Sequence, residues 1–186
     1  MKIYTKTGDG GSSSLYNGER RQKTDRIFDA LGDVDELNSL IGIAREYIPV
    51  TGEELNTQLE TIQSRLLDIG SCIATPESSS DTKLQRVAFS LDHVNHLEEW
   101  IDAHTSDLPT LTQFILPSGG KAAAHLHLAR SVCRRSERST LACEEPERLK
   151  EVTRYLNRLS DYLFTAARVC ALLDGRPEVL YRKSFD

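Results

Sequence analysis

Apolar residues recur every three or four positions along most of the chain, which is the spacing of one buried face on an α-helix. In the first such segment Ile27, Val34, Leu37 and Ile41 follow this spacing, and Pro49 ends the run. Four further segments repeat the pattern between breaks rich in proline or serine. The pattern predicts five helices, over residues 25–48, 53–73, 84–104, 118–143 and 147–173.

The segments at the ends of these helices carry their own signals. Ser118 is placed to cap the fourth helix at its N-terminus, and Gly175 stands where a C-terminal cap of the fifth would lie. The apolar stretch 111–116 lies between two prolines and is too short for a packed helix. Residues 179–181 predict a short extended tail.

Long amphipathic helices with short connections and few candidate strands predict an all-α fold, an antiparallel helical bundle. A length of 186 residues suits one domain with a single core. We therefore expect one domain, residues 1–186, made of an irregular N-terminal loop (1–24), a helical bundle (25–175) and a tail (176–186).

Composition mainly excludes classes of protein. The net charge of −5 provides no overall attraction to nucleic acid or to acidic membranes. The four cysteines form no CxxC motif, which favours reduced thiols over a zinc or redox site. Neither a secretory signal nor a membrane-spanning run is found, so we expect a soluble intracellular protein that binds neither nucleic acid nor membrane.

The N-terminal segment combines glycines, hydroxyls and a lysine. Residues 5–14 read TKTGDGGSSS, and Lys23 follows nearby. Glycines allow successive backbone N–H groups to converge on an anion, and hydroxyls add further donors. The lysine precedes the glycines, so the segment is not a Walker P-loop. A flexible arm is the other interpretation, and the composition alone slightly favours it.

A cluster of arginines forms a second candidate site. Arg130, Arg134, Glu137 and Arg138 share one face of the fourth predicted helix, because offsets of four, seven and eight residues return to the same side. This face predicts either an anion-binding wall or a solvated surface with an internal Glu–Arg pair. On a lone helix the solvated surface is the better interpretation.

Two more polar stripes bear on that choice. Asn157, Asp161 and Arg168 share a face of the fifth helix, and Asp35 and Asn38 share a face of the first. Such residues either orient guanidinium groups or face water. The chain has no ExxH motif and no serine or cysteine nucleophile with an evident base. The residues therefore favour a polyphosphate site in which something other than the protein makes the attack.

Five short blocks stand in order along the chain, namely TKTGDGG (5–11), GDVDELN (32–38), FILPSGG (114–120), CRRSER (133–138) and YLNRLSDYL (155–163). Any one block is a weak signal, but five at these separations are specific. Together they resemble the PduO-type ATP:cob(I)alamin adenosyltransferases, the group that includes the mitochondrial enzyme of animals. The resemblance covers nearly the whole chain.

The resemblance implies a five-helix bundle that forms a homotrimer with active sites between subunits. It implies transfer of the 5′-deoxyadenosyl group of ATP to the cobalt of cob(I)alamin, with release of triphosphate and with Mg²⁺ on the phosphates. A cobalamin reductase and an adenosylcobalamin-dependent enzyme are the expected partners, in a bacterial cytoplasm or a mitochondrial matrix. The alternative is a cobalamin carrier that delivers adenosylcobalamin to a dependent enzyme.

The resemblance also assigns roles to individual residues. Arg134 is expected to stabilise the leaving triphosphate, and Asp35 and Arg130 are expected to form an intersubunit ion pair. Phe114 is expected to cover the lower face of the corrin, and Glu137 to support Mg²⁺. The expected nucleotide-binding residues are Thr5, Lys6, Thr7, Gly8, Ser13, Ser14, Lys23, Arg134, Arg135, Ser136, Glu137, Arg138, Asn157 and Asp161.

Overall fold

The computed structural model describes residues 4–184 and is mostly helical, which confirms the all-α bundle. The first three residues of the predicted N-terminal loop and the last two of the predicted tail lie outside the described residues. A short 3₁₀ turn, Val50–Gly52, precedes the second helix. The helices are α1 (Arg26–Arg45), α2 (Glu53–Ile73), α3 (Asp81–Arg86), α4 (Asp92–Asp107), α5 (Lys121–Leu141) and α6 (Lys150–Leu173).

Two small antiparallel strand pairs flank the helices. β1 (Ser12–Ser14) pairs with β2 (Arg20–Gln22), a hairpin within the N-terminal segment that the sequence pattern does not predict. β3 (Ile115–Leu116) pairs with β4 (Val179–Leu180), so the C-terminal tail is extended as expected. The second pair joins the loop that precedes α5 to the segment that follows α6.

Five long helices enclose one apolar core. α5 packs against both α1 and α6, α4 packs on α6, and α2 packs on α1. The predicted stripe of α1 is inside, since Val34, Leu37, Ile41 and Ala44 are at most 3% exposed. Burial of each large aliphatic side chain contributes about 1.5–3 kcal/mol relative to leaving it in water. This packing determines which faces of α5 and α6 remain outside for a ligand.

The third predicted helix, 84–104, has the wrong bounds. The chain instead forms the short α3, leaves helical geometry at Val87 and starts α4 at Asp92. The break brings Phe89 against the core, where its ring lies edge-on to Tyr155 with centroids 5.2 Å apart. Periodicity alone does not show this break, because the residues between the two helices include neither glycine nor proline.

The end of α6 follows the sequence prediction. Gly175 has φ 61°, a left-handed conformation that glycine adopts without strain. Its amide donates to the Leu172 carbonyl at 3.0 Å, and the Arg176 amide donates to the Ala171 carbonyl at 3.0 Å. These two bonds form a Schellman motif, so the expected glycine cap is confirmed.

The start of α5 does not follow the prediction. Ser118 is not its N-cap, because the helix begins at Lys121 with Gly120 at the cap position. The Ser118 hydroxyl instead donates to the Leu116 carbonyl at 2.8 Å and accepts from the Val179 amide at 3.0 Å. Ser118 therefore connects β3 to β4.

Gly119 permits close packing of the turn between β3 and α5 on α6. It has φ 89°, and a Cβ there would lie 2.4 Å from the Cβ of Ala171. We expect Gly119→Ala to lower the free energy of unfolding by about 2–4 kcal/mol, because backbone strain and overpacking add. Gly18→Ala is the matched control in urea unfolding, since Gly18 has φ 92° in open space. Equal losses in both variants would contradict a packing role for Gly119.

Candidate active site

The β1–β2 hairpin holds the glycine-rich loop against a cation. Arg20 Nη2 donates to the Thr7 carbonyl at 2.8 Å, and the Lys23 amide donates to the Gly11 carbonyl at 2.9 Å. The Lys23 ammonium reaches Gly8, where a Cβ would lie 3.1 Å from Nζ. These contacts favour an ordered anion-binding loop over a flexible arm.

The other predicted residues of this loop are accessible. Thr5 and Thr7 are exposed, and their Oγ1 atoms lie 2.9 Å apart. Ser13 and Ser14 lie on β1, beside the loop. Lys6 has φ 60°, a conformation that non-glycine residues rarely adopt. Left-handed residues turn neighbouring amides toward a common point, which is how backbone concavities bind anions.

The arginine face of α5 is exposed and carries uncompensated charge. Within residues 4–184 no carboxylate lies within 4.0 Å of Arg134 or Arg130. Arg138 Nη1 donates to the Arg134 carbonyl at 3.0 Å. Arg130 is half-buried, and its buried Nε has no hydrogen-bond partner in the part of the chain described. An unpaired buried donor costs about 1–3 kcal/mol of folding free energy. A hydrogen-bond acceptor brought to Arg130 Nε would remove this cost.

Two residues of α5 that the resemblance assigns to the nucleotide, Arg135 and Ser136, lie away from this face, and their nucleotide contact stays a prediction. Arg135 Nε donates to Asp33 Oδ1 at 2.9 Å, its guanidinium also contacts Glu36, and the bond to Asp33 raises the pKa of Arg135. Ser136 is fully buried, and its hydroxyl donates to a backbone carbonyl one turn earlier at 3.1 Å. Neighbours of Arg134 in sequence face other directions because successive helical residues are about 100° apart. Arg135 therefore joins α5 to α1, and Ser136 packs in the core.

Glu137 and Asn157 meet between α5 and α6. Asn157 Nδ2 donates to Glu137 Oε1 at 2.9 Å. Both residues line a cavity of about 460 Å³ that α4 also borders. This volume lies in the usual range of small-molecule sites. The structure therefore brings together two predicted residues that lie 20 positions apart in the sequence, on different helices.

Asp161 is held by Arg158, a residue that the sequence reasoning missed. Arg158 Nη1 donates to Asp161 Oδ2 at 2.8 Å, and its Nε donates to Glu98 Oε1 at 2.9 Å. The bond to Glu98 raises the pKa of Arg158. The i,i+3 spacing of Arg158 and Asp161 is a signal that could have revealed the first contact. The second contact depends on how α4 packs on α6.

Phe114 presents its ring to solvent, with 82% of the residue surface exposed. It directly precedes β3, and its carbonyl accepts from the Tyr181 amide at 2.8 Å. From Lys121 to Arg134 the helix rises about 20 Å at 1.5 Å per residue. The exposed ring and the arginine face therefore lie toward different parts of α5.

Asp35 lies apart from the arginine face of its own chain. It is exposed on α1 and borders a cavity of about 690 Å³ between α1, α2 and the segment before α4. Arg65 and His93 line the same cavity. Within the described chain Asp35 forms no ion pair with Arg130. The expected pair is therefore not made inside one subunit.

The two most deeply buried thiols of the described chain, Cys133 and Cys170, are poorly suited to nucleophilic attack. All four cysteines are free, as expected. Burial raises the pKa of the Cys170 thiol to about 12 and also raises the pKa of Cys133, so both stay protonated at neutral pH. Burial, with a smaller effect of Arg130, lowers the pKa of His127. Among residues 4–184 no three His, Cys, Asp or Glu side chains are grouped to hold a metal ion.

The fold and the site define a helical-bundle protein with an arginine-rich face on α5 and an exposed aromatic ring before β3. The chain belongs to the cobalamin adenosyltransferase family, whose family model matches residues 3–170. This match confirms the resemblance drawn from the five sequence blocks.

Similar proteins span nearly the whole chain. Corrinoid adenosyltransferase MMAB of Bos taurus is 49% identical over 185 residues, which cover 98% of this chain and 77% of the relative. A corrinoid adenosyltransferase of Bacillus subtilis is 44% identical over 187 residues, which cover 99% and 94%. A variant PduO-type ATP:corrinoid adenosyltransferase from Lactobacillus reuteri, complexed with cobalamin and ATP, is similar with a TM-score of 0.89 at 38% identity, covering 98% of this chain and 100% of that one.

Proposed function

We propose that this protein is a corrinoid adenosyltransferase that transfers the 5′-deoxyadenosyl group of ATP to the cobalt of cob(I)alamin. The observation that carries the proposal is the arginine face of α5, where neither Arg130 nor Arg134 forms an ion pair within the described chain. Glu137 on the same helix lines a cavity together with Asn157. A triphosphate matches that charge, since guanidinium groups bind phosphate oxygens through paired hydrogen bonds. The names of the relatives support the same reaction.

Cob(I)alamin supplies the electron pair in this reaction. The cobalt attacks the 5′ carbon of ATP, the C5′–O5′ bond breaks, and its electron pair leaves with triphosphate. Cobalt is formally oxidised from Co(I) to Co(III) as the Co–C bond forms, so neither an external oxidant nor a protein base is required. The protein therefore acts by holding the two reactants and stabilising charge on the leaving group.

The glycine-rich loop and the arginine face are expected to contact different oxygens of the triphosphate. Backbone amides near Gly8 and the Lys23 ammonium are expected to bind phosphate oxygens in the ground state. Arg134 is expected to contact the oxygen that gains charge as the C5′–O5′ bond breaks, with Arg138 beside it. Asn157 and Asp161 are expected to orient polar groups at the nucleotide.

Mg²⁺ fits this site as an ion bound mainly to phosphate. The described residues offer no cage of several ligands. Mg²⁺ commonly keeps several waters and is bound through one or two carboxylates plus substrate phosphates. Glu137, oriented by Asn157, is the carboxylate that we assign to this role. Bound there, the ion would neutralise part of the charge on triphosphate.

A homotrimer with active sites between subunits is part of the proposal. Asp35 and Arg130 have no ion-pair partner inside the described chain, and Arg130 Nε is a buried donor without an acceptor. An ion pair from Asp35 of one subunit to Arg130 of the next would supply that acceptor.

Asp35→Ala is expected to weaken the trimer and to lower the rate of adenosylation, because it leaves Arg130 half-buried and uncompensated. Sedimentation velocity should show smaller species at a protein concentration that keeps wild type assembled. The double variant Asp35→Arg with Arg130→Asp should recover part of the assembly, whereas Glu46→Ala, an exposed acid of the same helix region, should change nothing. An intact, fully active Asp35→Ala trimer would contradict the assignment.

The proposed reaction is tested by following adenosylcobalamin spectrophotometrically, starting from chemically reduced cobalamin and MgATP. We expect adenosylcobalamin and triphosphate to form in equal amounts. A folded protein that binds MgATP calorimetrically but forms neither product would contradict the proposal. Retention of bound adenosylcobalamin until fresh ATP arrives would be the sign of the carrier alternative.

Location and partners stay predictions. None of the helices in the described part of the chain combines the length and apolarity needed to cross a membrane. Relatives occur in an animal and in a bacterium, and both compartments expected from the sequence therefore stay open. The reductase, the adenosylcobalamin-dependent enzyme and the single-domain organisation are likewise expectations.

A further inference from the structure

A buried arginine of α6 connects three segments of the chain. Arg168 is 7% exposed. Its Nε donates to Glu178 Oε1 at 2.7 Å, and its Nη2 donates to the Pro109 carbonyl at 2.6 Å. Nη2 also lies 3.4 Å from Glu178 Oε2, so two guanidinium nitrogens hold one carboxylate. Arg168 thus binds α6 to the loop after α4 and to the segment before β4.

Those two segments support the backbone of Phe114. The loop that Arg168 binds at Pro109 leads directly to Phe114 and is exposed along its length. The segment bound at Glu178 continues into β4, which pairs with β3. Just past β4, the Tyr181 amide donates to the Phe114 carbonyl at 2.8 Å. Both stretches of chain that hold the exposed ring are therefore bound to one guanidinium.

The turn that follows β3 also packs against α6 and its C-terminal end. A Cβ on Gly119 would lie 2.4 Å from Ala171, and a Cβ on Gly120 would lie 2.3 Å from Asp174 Oδ2. This packing brings the chain after β3 as close to α6 as glycine allows. The chain before β3 is exposed from residue 109 to residue 114. Arg168 binds this side through the hydrogen bond from its Nη2 to the Pro109 carbonyl.

We propose that Arg168 is a positioning residue for Phe114, acting through Glu178 and the Pro109 carbonyl. The proposal rests on the proposed function and on the role that the family resemblance implies for Phe114. In that role the ring covers the lower face of the corrin and keeps axial ligands off cobalt, which leaves Co(II) four-coordinate. Such a contact works only when the ring is held to within about 0.5 Å of the productive position. A forked guanidinium fixes both direction and distance, which a lysine ammonium does not.

If Arg168 had a purely stabilising role, its variants would behave differently. Buried ion pairs contribute little net stability compared with apolar packing, whereas loss of one partner is costly. If Arg168 only stabilised the tail, variants would melt earlier but would catalyse normally once folded. If Arg168 positions Phe114, its loss should change the cobalt spectrum and kcat in folded protein and should leave ATP binding intact.

Glu178→Gln separates these roles. The change keeps the shape of the side chain, and the segment lies outside the bundle core, so the helices should still fold. We expect kcat for adenosylation to fall about 10- to 100-fold, the typical cost of a misplaced reacting group. The KM for ATP should stay unchanged, and the four-coordinate Co(II) spectrum with cob(II)alamin and MgATP should weaken. Arg168→Lys should show the same kinetic split.

Glu145→Gln is the matched control. Arg148 Nε contacts Glu145, and its Nη1 donates to the Cys72 carbonyl at 2.6 Å, which repeats the same type of arrangement elsewhere. The side-chain exposures of Glu145 and Glu178 are similar, at 19% and 25%. Glu145→Gln should lower the melting temperature comparably, with kinetics and cobalt spectrum like those of wild type.

Wild-type kinetics and spectrum in folded Glu178→Gln would overturn the inference, and so would a kinetic loss that Glu145→Gln reproduces. A weakened Co(II) spectrum with normal ATP binding would support it. If the wild-type protein itself forms no adenosylcobalamin, the proposed function is contradicted, and the role proposed for Arg168 is contradicted with it.

Discussion

Arg134→Ala is expected to fold normally and to lose adenosyl transfer, with kcat lower by about 10²–10³-fold, the usual cost of removing one donor that stabilises transition-state charge. Arg134 is exposed on α5, and no carboxylate of residues 4–184 depends on it. Its removal therefore exposes no buried charge that would destabilise the fold. The Kd for MgATP should also rise, because the same guanidinium contacts triphosphate before the bond breaks.

Steady-state kinetics and calorimetric titration with MgATP measure the two effects separately. Arg86→Ala is the control, since Arg86 is an exposed arginine of α3 that donates to the Tyr16 hydroxyl at 3.3 Å. It removes the same charge from another part of the surface and should leave both constants near wild type. Full activity of Arg134→Ala would remove Arg134 from the leaving-group contact, whatever the state of ATP binding.

The helices were predictable where local pattern decides the structure. The α1 stripe is buried as expected because 3.6-residue periodicity and core packing require the same residues inside. Gly175 ends α6 because a left-handed residue is needed there. The break before α4 was not predictable, since it depends on packing Phe89 against Tyr155, far away in sequence.

The site was predictable as a set of faces but not as a set of contacts. Spacing placed Arg130, Arg134 and Arg138 together correctly, because one helix carries all three. The block CRRSER (133–138), which contains Arg134 and Arg138, also includes Arg135 and Ser136, which point to α1 and to the core. A sequence block does not show which way each side chain points, because this depends on the position of each residue around the helix. Partners on other helices depend on the packed fold.

Phe114→Ala is expected to bind MgATP normally but to form little four-coordinate Co(II) from cob(II)alamin, with turnover lower on the order of 100-fold. The ring is 82% exposed, so its removal opens no cavity in the core and should not alter the melting temperature. In the role that the family resemblance implies for Phe114, the ring keeps axial ligands off the lower face of cobalt, so its loss would leave a ligand there. The added ligand makes Co(II) harder to reduce to the nucleophilic Co(I).

Leu111→Ala is the control for Phe114→Ala, because Leu111 is an exposed apolar residue of the same loop. If it leaves the Co(II) spectrum unchanged while Phe114→Ala abolishes the four-coordinate signal, the effect belongs to the aromatic ring and not to the loop. A wild-type spectrum in Phe114→Ala would contradict the assigned role. Since the ring and Arg134 lie toward different parts of α5, loss of the ring should leave the Kd for MgATP unchanged, whereas loss of the guanidinium should raise it.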